Sequence, residues 1–198
     1  LKEVLWGERA PCALQTLDLS QNVELTGGDL ALALRRNESL TSIDLRGIPS
    51  ANTDSVYNSI GALLLQAECQ CRLGFLSCDA FCVRAGQEEL VLDGTTIDAV
   101  ASVEAGSAPQ HPPPAPEKGR KGAQIAIAAP KEVTTRAAIL TLLAGVLKYN
   151  SSLTSVEVRQ MDLDDAAATK FHSALVENAT LQHLDISENL VGPAGVSK

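Results

Sequence analysis

The stretch Asn178-Ala179-Thr180-Leu181-Gln182-His183-Leu184-Asp185-Ile186 carries the pattern that decides the fold. It begins with Asn-x-Ser/Thr-Leu. Two variable residues come next, and an apolar, an acidic and an apolar residue complete it. The same phrase occurs at residues 37–45 and 150–158, and a copy without the Asn occurs at residues 14–19. A phrase that returns in this way predicts a repeat architecture, in which each copy supplies the same small structural unit.

The spacing of the copies indicates the content of each unit. Leu153 and Leu181 are 28 residues apart, which is long enough for a strand and a returning helix. In the strand, alternate residues such as Leu17 and Leu19 face a shared core, and the residues between them face outward. Apolar residues three and four apart predict the helices. The predicted helices cover residues 29–36, 56–67, 136–148 and 165–177.

A complete frame Leu-x-x-Leu-x-Leu-x-x-Asn is formed once by Leu14, Leu17, Leu19 and Asn22, and nearly again in residues 181–189. This frame resembles the leucine-rich repeat, and the repeat length resembles its ribonuclease-inhibitor-like subtype. The resemblance implies a right-handed α/β solenoid shaped like a horseshoe, with parallel strands on the concave face and helices on the convex face. We expect the Asn to bond backbone groups where the chain leaves the strand.

The middle of the chain departs from the repeat. Residues 99–130 are rich in Pro and Gly, and we interpret them as an insertion loop in one repeat, between repeats at 1–98 and 131–198 of the same solenoid domain. The tract Pro113-Pro114-Ala115-Pro116-Glu117-Lys118 also has the form that SH3 domains bind, which is a weak signal. Residues 71–78 are too short for a strand and a helix, so we expect a strand and a tight return there. Residues 1–10 resemble the helix of a preceding repeat, and we suspect a fragment of a longer protein.

Each Asn-x-Ser/Thr phrase is also a glycosylation sequon. All three sequons, at Asn37, Asn150 and Asn178, lie just before a strand. A structural role therefore explains them better than a glycan does: we expect the Asn to end the helix in the left-handed conformation.

Composition narrows the function. The formal net charge of −8 argues against binding to nucleic acid or to an anionic membrane. Five cysteines in no regular framework indicate a reducing compartment, so we expect a cytoplasmic protein. Four of them, at positions 69, 71, 78 and 82, form a cluster, but its spacing is not typical of a zinc site. No nucleophile accompanies the histidines, so we expect no enzyme, no cofactor and no metal.

The outward side chains of the predicted strands form the candidate binding surface, and the acids among them favour a protein partner with a basic surface. Phe75 is the one aromatic residue predicted on this face and the best candidate anchor. The candidate partner-binding residues are Asp18, Asp44, Arg46, Phe75, Asp79, Glu89, Asp93, Glu157, Arg159, His183 and Asp185.

The resemblance implies a protein-interaction scaffold that binds through the concave face. Three other roles stay open, because similar repeats occur in activators of small GTPases, in actin-capping proteins and in the sensor arms of innate-immune receptors. A GTPase activator needs an exposed catalytic Asn or Arg, for which Arg46 and Arg159 are available but far apart along the stack.

Overall fold

The computed structural model describes residues 13–97 and 135–197. The elements are, in chain order, β1 (Thr16–Asp18), α1 (Gly27–Leu34), β2 (Ser42–Asp44), α2 (Ser50–Leu65), β3 (Phe75–Ser77), β4 (Cys82–Val83), β5 (Glu89–Asp93), α3 (Thr135–Leu147), β6 (Ser155–Arg159), α4 (Asp165–Leu175), β7 (His183–Asp185) and α5 (Pro193–Val196). The predicted insertion at 99–130 and the predicted helix at 1–10 lie outside the described residues.

The strands of the described residues form two sheets. In the first, the order is β1-β2-β3-β4, and β1, β2 and β3 are parallel with Leu17, Ile43 and Leu76 in one row. In the second, the order is β5-β6-β7, all parallel, with Leu90 and Val156 in register and Leu184 beside Val156. In each sheet, alternate strand residues therefore face the hydrophobic core, as the period-two pattern predicts.

The predicted horseshoe solenoid is wrong, because the strands do not form one continuous parallel sheet. β4 runs antiparallel to β3, with Leu76 opposite Val83, and the second sheet begins at β5. The physical reason is chain length. A parallel neighbour needs a crossover of about a dozen residues, whereas only four residues separate β3 from β4. The chain instead turns back at once, and the Cys78 N–H donates to the Phe81 carbonyl in that turn.

The helices form a second layer, in which α1 packs on α2, α2 on α3, α3 on α4 and α4 on α5. α3 is buried on almost every side from Ala138 to Leu147, because neighbouring helices cover it on both flanks. One cluster of buried apolar side chains runs beneath both sheets, from Leu30 to Ala174. Within residues 13–97 and 135–197, no helix has the length and apolar character that a bilayer crossing requires.

The Asn residues of two phrases, Asn150 and Asn178, join different units. Asn150 Oδ1 accepts hydrogen bonds from the N–H groups of Ser152 and Leu153, and its Nδ2 donates to the Gly74 carbonyl 2.8 Å away. Asn178 accepts from the equivalent two N–H groups, and its Nδ2 donates to the carbonyls of Leu147 and Asn150. Because the amide is committed to the backbone, a structural role accounts for the phrase.

One detail of this role differs from expectation: the sequon Asn residues do not adopt the left-handed conformation. Among the described non-glycine residues that conformation belongs to Gln21, Gln160, Asp162 and Glu188. Three of the four lie at the same place, just after a strand. Gly47 occupies that place after β2, with a φ of 70°.

The second Asn of the frame bonds the backbone at the strand exit, as expected. Asn22 donates to the carbonyls of Leu19 and Ser20. Asn189 also reaches the preceding unit, where it donates to the Val158 carbonyl and accepts from the Met161 N–H. Met161 replaces the Asn in its own unit, so the next unit satisfies the backbone there.

Candidate protein-binding face

The outward side chains of β1–β3 and β5–β7, and of the residues just after them, form what we term the strand face. It consists of two parts, one for each sheet. The first part holds Asp18, Asp44, Arg46, Phe75 and Asp79, and the second holds Glu89, Asp93, Glu157, Arg159, His183 and Asp185. The interruption at β4 and β5 therefore divides the predicted site residues into two groups.

The middle outward residues are aligned within each part. Asp18 lies beside Asp44 across β1 and β2, and Glu157 lies beside Asp185 across β6 and β7. Neighbouring strands are about 4.8 Å apart, so each pair brings like charges close together. Such pairs repel each other unless a cation or a hydrogen-bond donor compensates the charge.

Two arginines compensate part of this charge. Arg46 Nε donates to both carboxylate oxygens of Asp44 at 3.0 Å. The hydrogen bonds from Arg46 lower the pKa of Asp44, and they raise the pKa of Arg46 in turn. Arg159 lies between two carboxylates, with its guanidinium 2.8 Å from Asp185 and 3.0 Å from Glu157. Both arginines are thus occupied on the strand face itself.

The acidic residues have a second role, which the sequence analysis missed. Asp18, Asp44 and Asp185 each accept a hydrogen bond from the backbone N–H two residues later, at 2.8 to 3.0 Å. Asp93 does the same for Thr95 at the end of β5. The signal was present in the sequence, since Asp is typical of positions where its side chain bonds nearby backbone. These four aspartates of the strand face therefore satisfy backbone donors where the strands end.

These bonds change the ionisation of the carboxylates. The backbone and side-chain hydrogen bonds from Ser187, together with Arg159, lower the pKa of Asp185 to about 2. The hydrogen bonds from Thr95 lower the pKa of Asp93, and those from Ser20 lower the pKa of Asp18. These shifted aspartates of the strand face are consequently charged at neutral pH and well below it.

The remaining predicted residues have different surroundings. Asp79 accepts two hydrogen bonds from the Gly47 N–H, so it joins the ends of β2 and β3. Phe75 is half-buried and packs against the core, which leaves only part of its ring on the strand face. Glu89 and His183 are exposed at the first positions of β5 and β7.

The cysteine cluster has the features of small core residues. Burial raises the pKa of the Cys71 thiol to about 12 and that of the Cys78 thiol to about 11, so both stay protonated at neutral pH. Cys82 is half-buried, with Ser77 Oγ and Arg84 Nε each 3.2 Å from its sulfur. Within the described ranges, no three His, Cys, Asp or Glu side chains are arranged to hold a metal ion.

A family model described as a leucine-rich repeat matches residues 177–198. These residues contain β7, the phrase that begins at Asn178, and Asn189 with its bonds to the preceding unit. This part of the chain carries a leucine-rich repeat. A search of the curated proteins found no match. Leucine-rich repeats are in general protein-interaction modules, which agrees with a face of outward, partly exposed side chains.

Proposed function

We propose that the chain is a non-enzymatic scaffold that binds a protein partner with a basic surface through the strand face. The repeat at residues 177–198 supports a protein-interaction module in general. The observation that supports a basic partner is the excess of carboxylates over cations on the strand face. The subtype of the repeats is a further part of the proposal: the 28-residue period and the helix in each of the longer units favour the ribonuclease-inhibitor-like class. We also propose a cytoplasmic location, from the unpaired cysteines.

The excess charge remains after the internal ion pairs are counted. Arg46 compensates Asp44, and Arg159 compensates one of its two carboxylate neighbours. Uncompensated carboxylates then remain on both parts of the strand face, at Asp18 and Glu89 among others. Complementary charge increases association rates and selects partners. A basic surface is therefore the partner that this face attracts most strongly.

The GTPase-activating alternative is less well supported. An arginine that stabilises a phosphoryl-transfer transition state must be available to the nucleotide. Arg46 is bound to Asp44, and Arg159 is bound to Glu157 and Asp185. Use of either arginine in this way would leave its carboxylate partners uncompensated.

The test is affinity capture with two charge-matched double variants. Glu89→Lys with Glu157→Lys reverses charge on the strand face, whereas Glu24→Lys with Glu38→Lys makes the same net change on exposed loop residues. We leave Asp44 unchanged because its carboxylate bonds the Arg46 backbone, so its loss would also affect folding. The proposal predicts that the first pair loses most captured protein, that the second pair retains it, and that 0.5 M salt weakens capture, since salt screens surface charges. Equal capture by both pairs would refute binding through the part of the strand face that the first pair changes, β5 to β7.

A further inference from the structure

Val91 is an exception on the strand face. It is the middle residue of β5, and the equivalent positions of β1, β2, β3, β6 and β7 hold Asp18, Asp44, Ser77, Glu157 and Asp185. Val91 is 61% exposed, whereas its strand neighbours Leu90 and Leu92 are buried. The fold therefore does not bury this side chain. A polar residue is also not needed here to satisfy the backbone after the strand, because Asp93 accepts the hydrogen bond from the Thr95 N–H.

Acidic side chains surround Val91. Glu89 and Asp93 lie on the same face of β5, two residues before and two residues after it. Glu157 lies beside it on β6, in direct register. The only cation among the outward residues of this sheet is Arg159, which lies in register with Asp93 and is already bound to Glu157 and Asp185. The sheet thus combines an exposed aliphatic side chain with carboxylates that retain a net negative charge.

The geometry selects an extended segment as the occupant. Side chains on one face of a strand repeat about every 6.6 Å, so Glu89, Val91 and Asp93 form an acidic–aliphatic–acidic row with that spacing. An extended peptide has the same repeat. A segment of the form Lys-x-Leu-x-Lys therefore places an aliphatic side chain on Val91 while each cation lies near one carboxylate.

We propose that the part of the strand face formed by β5, β6 and β7 is the docking surface, and that its occupant is an extended basic segment with an aliphatic residue between two cations. This inference rests on the proposed function and specifies its partner. The first part of the strand face is the weaker candidate, because Arg46 compensates Asp44 and Phe75 packs on the core, whereas Val91 is exposed.

The experiment uses three synthetic peptides and fluorescence anisotropy with the full chain. The first peptide contains Lys-Thr-Leu-Thr-Lys, the second replaces its Leu by Ser, and the third replaces both Lys by Glu. We expect the first to bind at least fivefold more tightly than the second and at least tenfold more tightly than the third. Val91→Thr keeps the β-branched shape and replaces one of the two methyl groups by a hydroxyl, so we expect it to lower affinity for the first peptide at least fivefold. Val176→Thr is the matched control, because Val176 is 71% exposed at the end of α4, and it leaves the affinity unchanged.

Two results would overturn the inference. One is the absence of measurable binding of the first peptide at 1 mM, a concentration at which about −4 kcal/mol of binding free energy is detected. The other is equal affinity of the unmodified chain and Val91→Thr. The proposed function fails separately, when the Glu89→Lys and Glu157→Lys double variant captures as much protein as the Glu24→Lys and Glu38→Lys double variant and 0.5 M salt leaves capture unchanged. If the Glu89→Lys and Glu157→Lys double variant loses capture while Val91→Thr leaves the peptide affinity unchanged, this inference is refuted and the proposed function stands.

Discussion

Asn150 illustrates how a single side chain holds two units of this fold together. Its amide is almost fully buried, accepts two backbone N–H groups at the start of its own strand, and donates to the Gly74 carbonyl of another unit. All three partners are backbone groups that no sheet ladder satisfies. Buried backbone donors and acceptors without partners cost about 1–3 kcal/mol each. Asn150 also acts where the sheets are separate, since Gly74 precedes β3 and Asn150 precedes β6.

We predict that Asn150→Ala lowers the free energy of unfolding by about 3 kcal/mol or more, because it leaves buried backbone groups unpaired and a small cavity. Urea denaturation measures this loss. Ser151→Ala, at the exposed neighbouring position, is the control and should change stability by less than about 0.5 kcal/mol. A loss below 1 kcal/mol for Asn150→Ala would show that water or local rearrangement replaces the bonds.

At this scale the sequence predicted the importance of the recurring Asn but not its conformation. The phrase recurs at one phase, which is enough to infer a structural role. The conformation was wrong because the bonds that fix it come from other units, such as the Gly74 carbonyl. The acidic residues were predicted as part of a binding surface, yet Asp185 and its equivalents also bond the backbone. Both roles favour the same residue type, so the sequence does not separate them.

The contact between α2 and α3 depends on glycine. A Cβ at Gly61 would lie 2.3 Å from the Thr141 carbonyl oxygen, and one at Gly145 would lie 2.9 Å from the Gly61 carbonyl oxygen. The two helices therefore approach each other until their backbones are in contact. Backbone atoms cannot move aside as a flexible side chain does, so a larger residue at Gly61 must separate the helices.

We predict that Gly61→Ala destabilises the chain by about 1–3 kcal/mol, the usual cost of overpacking in a core. The matched control is Gly28→Ala in α1, where a Cβ would meet nothing within 4 Å. There the better helix propensity of Ala should stabilise by about 0.5–1 kcal/mol. Thermal melts of the two variants should thus shift in opposite directions. A Gly61→Ala variant as stable as the parent would indicate that the backbones of α2 and α3 are not in contact.

Helices were predictable and β4 was not. The four main helices begin and end within a few residues of prediction, except that α2 begins at Ser50 instead of Val56, directly after Pro49. Apolar periodicity is a local property, so the sequence shows it directly. β4 is only two residues long, Cys82–Val83, and it exists because it pairs with β3. A strand defined by its partner leaves little periodic signal.

At the largest scale, the described residues form two layers. In one layer each helix packs on the next, and in the other the strands form two sheets. Sequence periodicity predicted one curved sheet because it extends the same unit through the irregular middle. The unit at residues 71–78 has no returning helix, and this one departure reverses the chain and separates β3 from β5. Within each sheet the outward side chains are still aligned across the strands, since the buried residues beneath them set the register.

The measurement that tests the central claim most directly is hydroxyl-radical footprinting of the chain alone and with its captured partner. Val91 and Val176 have similar exposure, 61% and 71%, but lie in the strand layer and the helix layer respectively. The account predicts that bound partner lowers the modification rate of Val91 and His183 at least fivefold and leaves that of Val176 unchanged. Protection of Val176 with Val91 still fully reactive would contradict it, because the partner would then occupy the helix layer.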